Sequence, residues 1–213
     1  MNPTNQKVIV DRLVYLKNEY YLCGMNESPV KDRILDVASR LFFEQGYNLT
    51  GINQIIDEAA IARGSLYNHF ASKTDLLLAY LTKAQDERYN ETVAFIKPIQ
   101  DPKKKLLGMF DYRIQRQQQI GYRGCQFIKI CNEVSREDAA VFELVESHKE
   151  RNRRLIKELV LDIGRGEAQR EMLPDDMFAD MIFTLMEGST AMTGYSRNAR
   201  NIKTARKIVE RML

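Results

Sequence analysis

Two histidines, His69 and His148, and three cysteines, Cys23, Cys125 and Cys131, are the residues of this chain best suited to catalysis or metal binding. Their spacing serves no familiar reaction. The histidines lie far apart in sequence, and Cys125 and Cys131, six positions apart, do not share one side of a helix, so no metal site is expected. No Walker loop, GxGxxG, GxSxG, HExxH or CxxC pair occurs. The acidic pair Asp175-Asp176 stands at an expected helix start, where the helix dipole accounts for it. An enzyme is therefore not indicated, and no cofactor is called for. Buried, inert thiols are the default, with redox or electrophile sensing at Cys125 or Cys131 as the alternative.

The chemistry that remains is hydrogen bonding to a surface, concentrated in the stretch ARGSLYNHF at 62–70. Leu66 and Phe70, four apart, point to one side of a helix. Arg63, Ser65, Tyr67, Asn68 and His69 supply donors and acceptors on the other sides, and Gly64 gives clearance for a closely approaching backbone, phosphate or base. Arginine and asparagine can each bond a base edge bidentately, Arg63 to guanine and Asn68 to adenine. Tyr67 and Lys73 suit phosphate contacts, with Thr50 and Asn53 as further candidates.

These side chains need a scaffold, and the pattern supplies helices throughout. Ser28-Pro29 is an N-cap followed by proline at the first helical position. Ile34, Leu35, Ala38, Leu41 and Phe42 then form one apolar stripe, stopped at Gly46. A short helix follows with Ile52, Ile55, Ile56 and Ala59, then a turn at Ala60, Ile61 and Ala62, then the helix around Gly64–Phe70. Two short helices joined by such a turn, supported by a third, make a helix-turn-helix. Ser72 to Asp75 reads as a capping box opening a long helix through Phe95.

Behind this unit, helices are expected from Asp101-Pro102, over Cys125–Val134, from Ser135 and Asp138 to Ile163, over Asp176–Tyr195, and over Asn198–Met212. Gly164, Gly166 and Pro174 mark a longer connection. No alternating strand pattern appears, so the fold class is all-α. Its parts are an extension at 1–27, possibly helical over Val8–Leu22, a DNA-binding domain at 28–80, and a sensing and dimerisation body at 81–213.

The span Ile34–Leu78 resembles the DNA-binding domain of the tetracycline-repressor (TetR) family of bacterial transcription regulators. The resemblance rests on Ala38, Leu41-Phe42, Gly46-Tyr47, Thr50, Ile52, Ile55 and Ala59, and most specifically on Gly64-Ser65-Leu66-Tyr67, His69-Phe70 and Ser72-Lys73. Gly51 stands where the family usually has serine or threonine, so a hydroxyl contact to phosphate is either missing or taken over by Thr50, and Ala60 stands where it prefers glycine. The resemblance implies a dimeric, all-α repressor-like regulator that releases or alters DNA on binding a small ligand. More weakly, Gly124-Cys125-Gln126-Phe127 with Glu133, Gly164, Gly166-Glu167 and Glu187-Gly188 resemble the sensing body of one branch.

A double-stranded operator, a second copy of the chain and a largely apolar effector are thus the expected partners. Aromatic and sulfur-bearing residues give the candidate pocket: Tyr89, Phe110, Tyr112, Arg113, Cys125, Phe127, Cys131, Phe142 and Met186. The apolar segment 176–195 needs two buried faces, one on the core and one on a partner subunit.

Charge restrains this reading. From 29 to 80, Lys31, Arg33, Arg40, Arg63 and Lys73 face Asp32, Asp36, Glu44, Asp57, Glu58 and Asp75, so nonspecific attraction to phosphate is modest. A net charge of +3 permits nucleic acid without requiring it. The competing class is a helical adaptor that binds proteins and not DNA. No apolar run approaches the roughly 20 residues that span a bilayer, and Asp11, Arg12 and Lys17 interrupt any signal-peptide core, so a cytoplasmic protein is expected.

Overall fold

The computed structural model describes residues 30–213. The expected leading helix, the Ser28-Pro29 start and Cys23 lie outside the described residues.

Ten helices follow in order among the described residues: α1 (Val30–Glu44), α2 (Ile52–Glu58), α3 (Arg63–His69), α4 (Lys73–Ile96), α5 (Pro102–Gln119), α6 (Gln126–Glu133), α7 (Ala139–Ile163), α8 (Glu167–Met172), α9 (Asp175–Ser196) and α10 (Arg200–Met212). No strand occurs among them. The caps explain the starts. Ser72 Oγ accepts from the Asp75 amide at 3.0 Å, and Asp101 accepts from Lys103 at 2.9 Å ahead of Pro102. Gly164, left-handed at φ 65°, ends α7.

The long connection expected at 164–174 contains helix α8 instead. Gln169 reaches back to the Gly166 amide at 3.1 Å, and buried Arg165 bonds the Leu173 and Gln169 carbonyls and pairs with Asp175 at 3.0 Å. Asp175 also pairs with Arg170, so this carboxylate clamps the turn as well as capping a dipole.

Two cores hold the chain. One joins α1, α2, α3 and the first half of α4, from Ile34, Ala38 and Phe42 to Ile55, Leu66, Phe70 and Leu77, and continues into Cys125, Phe127, Ile130, Val141 and Val145 of the body. The other joins α5, α7, α9 and α10 around Phe110, Ile156, Phe178, Ile182 and Ile202. The helix-turn-helix therefore shares its core with part of the body.

The turn between α2 and α3 carries local strain. Ala60 has φ 52°, a left-handed conformation that costs an L-residue with a Cβ roughly 1–2 kcal/mol. It is exposed, so no packing compensates. Ala60→Gly is expected to raise unfolding stability by about 0.5–1 kcal/mol, after the larger chain entropy of glycine is subtracted. Urea denaturation of the two proteins measures this, and an unchanged or lower midpoint would refute it.

Candidate nucleic-acid interface and effector cavity

The residues of α3 divide by helix phase. Leu66 is fully buried and Phe70 nearly so, whereas Arg63, Gly64, Tyr67, Asn68 and His69 are exposed and Ser65 is half-buried. Arg63 Nη2 donates to Asn53 Oδ1 at 2.5 Å, which joins the exposed faces of α3 and α2. A Cβ at Gly64 would meet nothing within 4 Å, so no neighbour in the chain requires glycine there.

One expected contact, Thr50, is corrected, and Lys73 is tied into the fold. Thr50 is fully buried, and its hydroxyl donates to the Gly46 carbonyl at 2.7 Å; it caps the loop and has no face toward a phosphate. Lys73 is half-buried, donating to the Tyr47 carbonyl at 2.7 Å, with its ammonium 4.1 Å from the centre of the Tyr47 ring. Burial lowers its pKa, with Glu133 pulling the other way. Lys73 thus fastens the loop before α2 to the start of α4. Three of the six acids of the front unit are engaged elsewhere: Glu58 and Glu44 pair with Arg40, and Asp36 pairs with Lys83.

Helix α6 reaches the same loop from the body. The Asn48 amide donates to Glu133 Oε2 at 3.0 Å, and Asn48 Nδ2 donates to the Glu133 carbonyl at 2.9 Å. Gly46 sits at φ 96°, where a Cβ would lie 2.8 Å from Glu133 Oε1. Arg123 donates to the Glu44 carbonyl at 2.7 Å, closing the end of α1. Buried Gln117 fixes the other end of this strut, bonding both the amide and the carbonyl of Gly124 at 3.0 Å and accepting from Thr193 at 2.8 Å.

A cavity opens where α4, α5, α6, α7 and α9 converge. Of the expected pocket residues, Tyr112, Arg113, Cys125 and Phe127 line it. The other five do not. Phe110 and Met186 face the second core, Cys131 packs against the first, Tyr89 stacks under Arg151 at 3.6 Å, and half-buried Phe142 lies at the start of α7. Helix phase is the reason: on α5, Phe110 turns toward α7 and α9 while Tyr112, Arg113, Arg116 and Gln117 turn toward the cavity.

The lining is far more polar than expected. Arg88, Arg113, Arg116 and Lys149 contribute four cations, with His148, Asn152, Thr92 and Thr190 around them. Glu187 pairs with Arg113 at 2.9 Å and with Lys149. Burial raises the Glu187 pKa, but the two cations outweigh it and hold the carboxyl at about 2. His148 stacks on Phe127 with centroids 4.3 Å apart; burial, then Lys149 and Arg113, push it down to about 3. Burial and a bond to Glu91 raise the Tyr112 phenol to about 12. Lys149 Nζ also lies 3.4 Å from Cys125 Sγ, whereas burial pushes the Cys131 thiol up.

Of these cations only Arg113 was expected; Arg88, Arg116 and Lys149 are not aromatic or sulfur-bearing. One signal was present: Glu187 is the only charged residue in the stretch 181–196, and a lone carboxylate in an apolar helix calls for buried cations nearby.

An exposed polar α3 backed by a three-helix core is the architecture of a helix-turn-helix DNA-binding protein. Residues 34–80 match the family described as bacterial regulatory proteins, tetR family. The transcriptional repressor KstR2 of Mycolicibacterium smegmatis is 26% identical over 161 residues, 75% of each protein. The regulator QacR of Staphylococcus aureus is 42% identical over 52 residues, 24% of this chain and 28% of QacR. A TetR-family regulator from Streptomyces coelicolor has the same fold, with a TM-score of 0.72 at 22% identity over 91% of this chain and 95% of its own. Residues 34–80 thus carry the DNA-binding module of tetR-family regulators, and the chain as a whole has the fold of TetR-family regulators. None of the described helices is long and apolar enough to cross a membrane.

The buried pair His148 and Glu187 makes stability depend on acid. Both folded pKa values lie below the unfolded ones, 6.5 and 4.5, so the unfolded chain binds more protons and stability falls as pH falls. The His148 contribution is complete above about pH 6.5 and declines toward pH 3, at up to about 1.4 kcal/mol per pH unit. The Glu187 contribution is lost only below about pH 4.5. Denaturation of His148→Gln is expected to show a flattened slope between pH 6.5 and 4.5 and a retained loss below it. An unaltered slope in the upper window would refute the assignment.

Proposed function

We propose that the protein is a ligand-responsive repressor that binds a palindromic operator as a homodimer, with α3 in the major groove and an effector in the cavity. The observation that carries the reading is the outward face of α3, polar and continuous from Arg63 to His69 over buried Leu66 and Phe70. Arg63, oriented by Asn53, reads a base; Asn68 is the second reader, with Ser65 and His69 beside it. Tyr67, 45% exposed, takes a phosphate, and Gly64 leaves room for the backbone to come close. Lys73 acts through the loop it fastens. The repressor sign follows KstR2, and operator binding implies a cytoplasmic protein.

Dimerisation suits the outer face of α9 and α10. Met177, Met192 and Tyr195 on α9 and Ile208 on α10 are 59%, 43%, 75% and 42% exposed, a stripe of large apolar groups facing solvent in the single chain. Gly188 lies between them with nothing within 4 Å of a built Cβ, leaving space for a partner helix. Two such chains give the two-fold symmetry that a palindrome matches.

The signal has a short path. Gly124, Cys125, Gln126 and Phe127 line the cavity at the start of α6, and Glu133 at its end holds Asn48 in the helix-turn-helix. A ligand that shifts α6 or α4 shifts α3, and it changes DNA affinity only by favouring one arrangement. A second reading, thiol sensing, rests on the 3.4 Å approach of Lys149 to Cys125. Cys125→Ser separates the two: it abolishes a covalent response and spares a non-covalent one.

Two measurements test the proposal. Arg63→Ala is expected to cost roughly 1–3 kcal/mol of operator affinity in band shifts and to relax selectivity at one base pair; a uniform loss across all sequences would make Arg63 a phosphate contact. Gly188→Arg is expected to give a folded monomer by sedimentation, with operator affinity much reduced. A dimeric Gly188→Arg protein, or footprints on single asymmetric blocks, would refute the symmetric reading.

A further inference from the structure

Of the four cations around the cavity, two are already satisfied: Arg113 and Lys149 share Glu187. The other two are less completely engaged. Arg116 has no ion pair among the described residues. Arg88 pairs with Glu87 at 3.4 Å and, through Nη1, with Glu91 at 3.3 Å, while its buried Nε makes no hydrogen bond. Buried His148 Nδ1 is likewise unpartnered, and all three side chains line one cavity. The half-buried Arg116 guanidinium, beside a second one and without a carboxylate of its own, is costly unless something negative joins it.

We propose that the cavity is a receptor for a small organic anion, whose carboxylate or equivalent oxyanion bridges Arg88 and Arg116 while its apolar part lies against Ile120 and Phe127. The inference rests on the ligand-responsive reading above and names the ligand class for that same cavity. Burial and the neighbouring Arg88 lower the Arg116 pKa, a conflict that a bound anion relieves. Guanidinium groups match carboxylate geometry with two parallel donors, which favours an oxyanion over a halide. The space for the centres of water-sized molecules is about 60 Å³, sufficient for a head group. A longer tail displaces Ile120 or Phe127, and Phe127 belongs to α6, so tail length couples to the strut.

The test uses three probes that share a chain and differ in head charge: octanoate, octanol and octylammonium. Binding to the full-length protein is read by calorimetry without DNA, so the outcome does not depend on operator recognition. Octanoate is expected to bind at least tenfold more tightly than either counterpart. Arg116→Gln and Arg88→Gln are each expected to weaken octanoate at least tenfold and to narrow its advantage over octanol, and Lys203→Gln on the exposed face of α10 is expected to leave it unchanged. Circular dichroism identifies a variant that fails to fold, and the other arginine variant then decides. Equal or stronger binding of octanol or octylammonium overturns the proposal, as does no binding of any probe. Octanoate binding that both arginine variants leave intact belongs to the basic surface and also overturns it.

Discussion

The shared core beneath the helix-turn-helix governs the rest of the molecule. Ile34, Ile55, Leu66 and Phe70 do not close a core of their own; they pack continuously through Leu77 and Leu81 onto Phe127, Ile130 and Val145. Interiors packed to this density do not deform smoothly, so a displacement of α6 or α4 is carried into α3 and not absorbed between them. The polar clamp of Glu133 on Asn48 adds direction to that packing, because it ties one end of α6 to the loop that sets the angle of α2.

The cavity sits at the other end of the same strut, and its electrostatics fit a switch. Buried charges add little net stability, since desolvation offsets their attraction. Here a single carboxylate, Glu187, is shared by Arg113 and Lys149, and Arg88 keeps a buried donor without a hydrogen bond, so the ligand-free arrangement is held by packing and not by a complete ionic network. Partial satisfaction of this kind leaves free energy for a ligand to supply.

How much of this could be read in the sequence follows from the physics of each feature. The helices were legible because apolar period and caps are local: Ser72, Asp101-Pro102 and Gly164 begin or end helices where expected. The outward face of α3 was legible for the same reason, from the four-residue spacing of Leu66 and Phe70. Helix α8 was hidden because glycine and proline flank it, it is only six residues long, and its anchor is the side chain of Arg165 bonding across it to Leu173 and Asp175. Thr50 was expected to face outward because Gly51 beside it lacks a hydroxyl, and its bond to the Gly46 carbonyl turns it inward; the bond from Lys73 to the Tyr47 carbonyl, 26 residues away, is not visible in any local pattern. The cavity was least legible: its wall is drawn from five helices, and of its four cations only Arg113 was among the expected residues.

The most direct test of the account is native-state hydrogen exchange as a function of low denaturant, comparing amides of Ile55 and Phe70 in the front unit with those of Ile130 and Val145 in the body. A single shared core predicts that all four exchange through one cooperative opening, with the same free energy and the same denaturant slope. Exchange of Ile55 and Phe70 through a separate, smaller opening that leaves Ile130 and Val145 protected would contradict it, because the reading helix would then be free of the strut that is meant to move it.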